Sequence, residues 1–208
     1  PALGSFRVSQ GVSGSGIDRM DDMTPTVWEE ADGAGISAGI NKIAGTSAGG
    51  TIELSGLEAM PAGLDVKFAY SPDADGGAAS DKGAGGSSGV LGSGWDLTAS
   101  ASSDLHGVDG LTVYAGTGEK SGATIGANDD LQVLAANYAL GAITVGVSLT
   151  EIDSTTSSRQ YETTGMAVAY AINENLSVSY SDRTVDRGSV TVDEEQNGLS
   201  IGYSMGGM

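Results

Sequence analysis

The chain has 208 residues with 34 glycines, 4 prolines and no cysteine, and its 27 acidic and 9 basic residues give a formal charge of -18. That charge disfavours nucleic acid and attracts cations, the missing cysteine rules out disulfides and thiol chemistry, and no run approaches the roughly 18 apolar residues of a membrane helix. A mean hydropathy of -0.05 still suits strands that cross a bilayer, which need only about 9–11 residues with every second one apolar.

Alternation of apolar with small or polar residues predicts ten strands, at about 6–12, 51–57, 64–71, 95–104, 111–117, 131–140, 142–152, 161–172, 176–186 and 197–205. A first strand built on Phe6-Arg7-Val8-Ser9-Gln10 is followed by a long segment, 11–50, rich in acids near its start. The third strand sets Leu64, Val66, Phe68 and Tyr70 against Asp65, Lys67 and Ala69. In the seventh, Ile143, Val145, Val147 and Leu149 face away from Thr144, Gly146, Ser148 and Thr150, and in the ninth Leu176, Val178 and Tyr180 oppose Ser177, Ser179, Ser181 and Arg183. One face is therefore apolar. The other is made of Ser, Thr, Gly and Ala, too small to fill a packed interior, so the enclosed space is expected to hold water.

Joints between these strands alternate in length. Tight ones fall at 58–63, 106–110, 140–142, 173–175 and 206–207, and longer polar stretches at 71–94, 117–130, 152–160 and 186–197. This is the habit of an outer-membrane β-barrel, with tight turns on the periplasmic side and longer loops outside. Tyr138, Tyr170 and Tyr203 precede tight joints while Tyr70 and Trp95 lie at the long-loop ends, which suits aromatic girdles at two membrane interfaces.

These strands, the acidic stretch Ile17-Asp18-Arg19-Met20-Asp21-Asp22-Met23-Thr24-Pro25-Thr26-Val27-Trp28-Glu29-Glu30 and the strand end Phe68-Ala69-Tyr70-Ser71-Pro72-Asp73 resemble the general porins of Gram-negative bacteria, of the alphaproteobacterial type. The resemblance implies an all-β fold, a transmembrane antiparallel barrel of about sixteen strands in the full protein, with about ten present here. Residues 1–208 then form a single barrel domain incomplete at both ends, and 11–50 is the third external loop, folded inward as the constriction. It implies a homotrimer in the outer membrane, in contact with its lipid, that passes ions and small hydrophilic solutes by passive diffusion. It also implies basic wall residues facing the acidic loop.

On that reading Asp18, Asp21, Asp22, Glu29, Glu30 and Asp32 form the constriction and confer a preference for cations. Strand parity turns Arg7, Glu53, Asp65, Lys67, Asp96 and Arg183 toward the lumen. No cofactor, metal centre or nucleic-acid partner is expected, beyond loose binding of divalent cations by the acidic loops.

Enzymatic readings find little support. His106 is the only histidine and falls in a tight turn, with no nucleophile elbow to serve it. The stretch Gly116-Thr117-Gly118-Glu119-Lys120-Ser121 lacks the spacing and the following helix of a phosphate-binding loop. Asp73-Ala74-Asp75-Gly76-Gly77 lacks the terminal glutamate of a calcium loop. The alternative to a channel is a secreted β-rich surface or adhesive binding protein, which would be soluble without detergent.

Overall fold

The computed structural model describes residues 4–10, 16–20, 23, 50–72, 93–121 and 128–204. Among the described residues ten strands form one sheet in sequence order, every neighbouring pair antiparallel. They are β1 (Ser5–Gln10), β2 (Gly50–Ser55), β3 (Leu64–Ser71), β4 (Gly94–Ala101), β5 (Leu111–Ser121), β6 (Asn128–Leu140), β7 (Ile143–Ser154), β8 (Tyr161–Asn173), β9 (Leu176–Arg187) and β10 (Glu194–Tyr203). Among the described residues the sheet is not closed, and β1 and β10 are its two margins.

The predicted strands and four of the five tight joints are present, and the fifth joint, 206–207, lies outside the described residues. Between β6 and β7 only Gly141 and Ala142 intervene, and between β8 and β9 only Glu174 and Asn175. The joint before β5 contains a single helical turn, α1 (Ser103–His106), closed by Gly107 in the left-handed conformation. At Gly63 (φ 80°) a side chain would run into the backbone of Leu105, so this tight joint requires glycine.

Three of the four long joints, those expected at 117–130, 152–160 and 186–197, are shorter than expected. β5 continues to Ser121 and β6 begins at Asn128, while β7, β9 and β10 extend through Ser154, to Arg187 and back to Glu194. Ladder hydrogen bonds depend on the backbone, so pairing runs on past the last apolar side chain into polar sequence that reads as loop.

The two faces of the sheet differ as the alternation predicts. The apolar face exposes Leu134 (52%), Met166 (53%) and Ile201 (64%), together with Phe6, Phe68, Trp95, Leu97, Val147 and Leu149. Such a continuous exposed apolar surface calls for an apolar solvent. Its outline is oblique. One rung of directly paired residues runs Phe68, Leu97, Thr117, Gln132, Glu151, Glu162, Asp186 from β3 to β9, passing from apolar to acidic. The rung two below it along the strands runs Leu64, Ala101, Val113, Ala136, Val147, Met166, Asp182, Asn197, turning polar only at β9.

The lower aromatic girdle steps in the same way. Tyr138 pairs in the rung of Val145 and Tyr180, Tyr170 lies one rung lower, beside Ile143 and Val178, and Tyr203 lies one lower again, opposite Leu176. That is about one residue of displacement per strand. With a rise near 3.3 Å and a strand spacing near 4.8 Å, an apolar band that is level in the bilayer then requires strands tilted by roughly 35–40°. This falls in the range of transmembrane barrels.

Candidate functional site

The polar face carries the charged residues. Register places Arg7 opposite Glu53, and Glu53 opposite Ala69, whose other neighbour is Asp96. Lys67 lies on the same face of β3 as Asp65 and is ion-paired with it. Asp96 is fully buried, and Gly118 opposite it on β5 leaves the space: a Cβ there would be 2.8 Å from that of Asp96. Arg183 is also buried on this face, but on β9, between Gly165 and Gln196 and far across the sheet from Glu53. Arg7, Glu53, Asp65, Lys67 and Asp96 are thus grouped on β1–β4, with Arg183 apart from them.

Of the six acids expected at the constriction, Asp18 lies in a 3-10 turn, Gly16–Met20. Asp21, Asp22, Glu29, Glu30 and Asp32 lie outside the described residues. The turn sits on the polar face, against β3, β4 and β5. The Glu53 carboxylate accepts the Gly16 N–H at 3.0 Å and pairs with the Arg19 guanidinium. Ile17 and Met20 are buried in a cluster with Leu131, Val133 and Ile152.

That cluster departs from the expectation of a uniformly watery face. Leu131, Val133 and Ile152 share the face of Thr150 and Ser148, and they form an apolar island which the turn covers. Many of the small residues around it, among them Ser148, Thr163 and Ser181, are buried rather than open. Burial of apolar side chains is favourable wherever chain is at hand to cover them, and the 3-10 turn supplies that chain.

Further charges lie toward the long-loop ends of the strands. Arg159 pairs with Asp129, and Arg187 donates to Glu194 at 2.7 Å while its guanidinium lies 5.4 Å from the Tyr161 ring centroid. These residues escaped the sequence reading because Asp129, Arg187 and Glu194 fall in stretches read as loop, where parity assigns no face. Ile17, Met20 and Gly116 escaped it because the acids around residue 18 drew attention away from their apolar neighbours. The placing of Leu131, Val133 and Ile152 on the polar face was the available signal.

His106 stands at the end of α1, where its Nδ1 accepts the Val108 N–H at 3.2 Å. Among the described residues no three His, Asp or Glu side chains are placed to hold a metal ion.

A sequence profile of the Gram-negative porin family matches residues 13–207. Among solved structures, a mutant form of the porin of Rhodobacter blastica is similar at 14% identity, over 95% of this chain and 72% of that one, with a TM-score of 0.43. No curated protein matches the chain significantly.

Proposed function

Because the chain belongs to the Gram-negative porin family, and so to the channel proteins of the outer membrane, we propose that it forms a water-filled pore that passes small hydrophilic solutes and prefers cations. The observation that carries this reading is the position of the turn Gly16–Met20 on the polar face of the sheet, held by Glu53 and the apolar island. On this reading Asp21, Asp22, Glu29, Glu30 and Asp32, which follow the turn in sequence, act with Asp18 as the constriction. Within the described strands, by contrast, the charges of the polar face balance: Arg7, Lys67, Lys120, Arg183 and Arg187 stand among Glu53, Asp65, Asp96, Asp129 and Glu194. The selectivity therefore comes from the 11–50 segment rather than from the wall. In a confined, partly desolvated space a unit charge is felt several-fold more strongly than in bulk water.

The test is a reversal potential across a salt gradient in a planar bilayer. The triple variant Asp21→Asn, Glu29→Gln, Glu30→Gln should reduce the cation preference with assembly intact. Neutralising Asp73, Asp75 and Asp81 in the outer segment should do much less, because charges there are screened within about 10 Å at ordinary salt. Equal loss from both sets, or none from the first, would overturn the proposal.

A homotrimer belongs to the same reading. Ala99 and Ala115 are direct cross-strand partners on the apolar face, and Ala101 and Ala136 lie in the rung below, so small side chains leave a patch where a neighbouring barrel packs closely. Native mass measurement in mild detergent should show three copies of the chain, and a monomer alone would remove the assembly.

A further inference from the structure

The turn Gly16–Met20 is held in three ways, by residues from five different strands. The Glu53 carboxylate on β2 takes both the Gly16 N–H, at 3.0 Å, and the Arg19 guanidinium, whose Nε in turn donates to the Gly16 carbonyl at 2.9 Å. Ile17 has no exposed surface and Met20 almost none, and the two pack on Leu131, Val133 and Ile152 of β6 and β7, with Tyr114 of β5 and Tyr161 of β8 at the edge. Gly116 on β5 completes the fit. A Cβ there would lie 3.2 and 3.3 Å from two carbons of Ile17 and 2.8 Å from a methyl of Val133, so only a glycine leaves the place that Ile17 takes.

We propose that these wall residues are a receptor for the turn: Glu53 is a positioning residue, and Gly116 with Leu131, Val133 and Ile152 is the socket for Ile17 and Met20. The docked turn is thereby a fixed part of the channel lining. This rests on the reading of the polar face as the channel wall, and it assigns a reason to three features that a bare porin wall does not need. An apolar island facing water would be costly without a cover. A glycine in the middle of a strand weakens it unless another group approaches closely. A glutamate buried against the wall requires a charged partner, and Arg19 is that partner.

The test uses thiol protection in the full chain, purified in detergent. With no native cysteine, Ile17→Cys or, as a second site, Met20→Cys introduces a single thiol. A hydrophilic maleimide should modify either at least about ten-fold more slowly than Glu174→Cys in the exposed joint between β8 and β9. Adding Glu53→Ala should speed modification at residue 17 by roughly ten-fold, the scale of a charge-assisted hydrogen-bonded pair, and Glu53→Gln should do so by less. Gly116→Val should also speed it, by filling the socket. A thiol at Ser181, buried on the same face but on β9, should be unmoved by all three, which separates loss of docking from loss of the fold.

A cysteine at 17 and at 20 reacting as fast as the one at 174 would overturn the proposal. So would protection that Glu53→Ala and Gly116→Val leave unchanged, since the turn would then be held by other residues. The readout involves no current, so a channel found to lack cation preference would contradict the proposed selectivity and leave the docking standing.

Discussion

On its polar face the sheet mixes Arg7, Lys67, Lys120, Arg183 and Arg187 with a matching set of carboxylates, whereas on its apolar face the described strands carry Glu119, Asp130, Glu151, Asp153, Glu162, Asp182, Asp186 and Glu195 and no Lys or Arg. The acids of the apolar face are not scattered. They lie along its oblique upper margin, where Glu119, Asp130 and Asp153 form one continuous rung and Glu151, Glu162 and Asp186 another. Like charges directly opposite across a ladder are destabilising, so this margin costs stability that the polar face, with its paired charges, does not give up. The contrast separates two constraints on one ladder. Side chains of one parity answer to a bilayer of fixed level, and those of the other parity to one another and to the turn docked on them.

The largest effect expected from breaking this contrast is a charge placed in the band. Met166→Arg, in the apolar part of β8, should destabilise the protein by about 2–4 kcal/mol in urea unfolding from lipid vesicles, the cost of a midplane arginine on a barrel exterior. Glu162→Arg, four residues along the same strand and face, should cost little or be favourable, since it removes one of three adjacent carboxylates. Equal costs at the two sites would mean that the apolar face does not lie in lipid.

A smaller effect sharpens the other half of the comparison. Glu162→Gln should raise stability by up to about 1 kcal/mol by relieving Glu151 and Asp186, and the gain should shrink at 1 M salt, where the screening length is about 3 Å. A gain independent of salt, or a loss, would show that these carboxylates do not repel one another across the ladder.

Much of this architecture was legible in the sequence. Strands such as β7 and β9 alternate so regularly that both their existence and their two faces follow from period two alone, and the register sets Arg7, Glu53, Asp65, Lys67, Asp96 and Arg183 on one face of the sheet. What parity could not convey is depth and company. It set Lys67 and Asp65 on one face without showing that they pair, and it did not show that Glu53 meets Arg19, because contacts between residues 34 apart depend on the path of the intervening chain. Strand ends were misplaced where pairing continues through polar residues such as Asp129 and Glu194, for which composition says loop and the backbone says ladder. The oblique band was present in the sequence as well, but it appears only when rungs are aligned, and alignment needs the register.

The account depends most on the claim that the apolar band, oblique on the sheet, is level in the membrane. Nitroxide labels placed singly at Phe68, Leu97, Gln132, Glu151 and Glu162, all on one rung, would test it through their relative exposure to oxygen and to a water-soluble relaxing agent in bilayers. The labels should pass steadily from hydrocarbon at Phe68 and Leu97 to headgroups and water at Glu151 and Glu162. A rise of roughly 3 Å per strand is expected for strands tilted by 35–40°. Equal depth along the rung, or a gradient of the opposite sign, would contradict it.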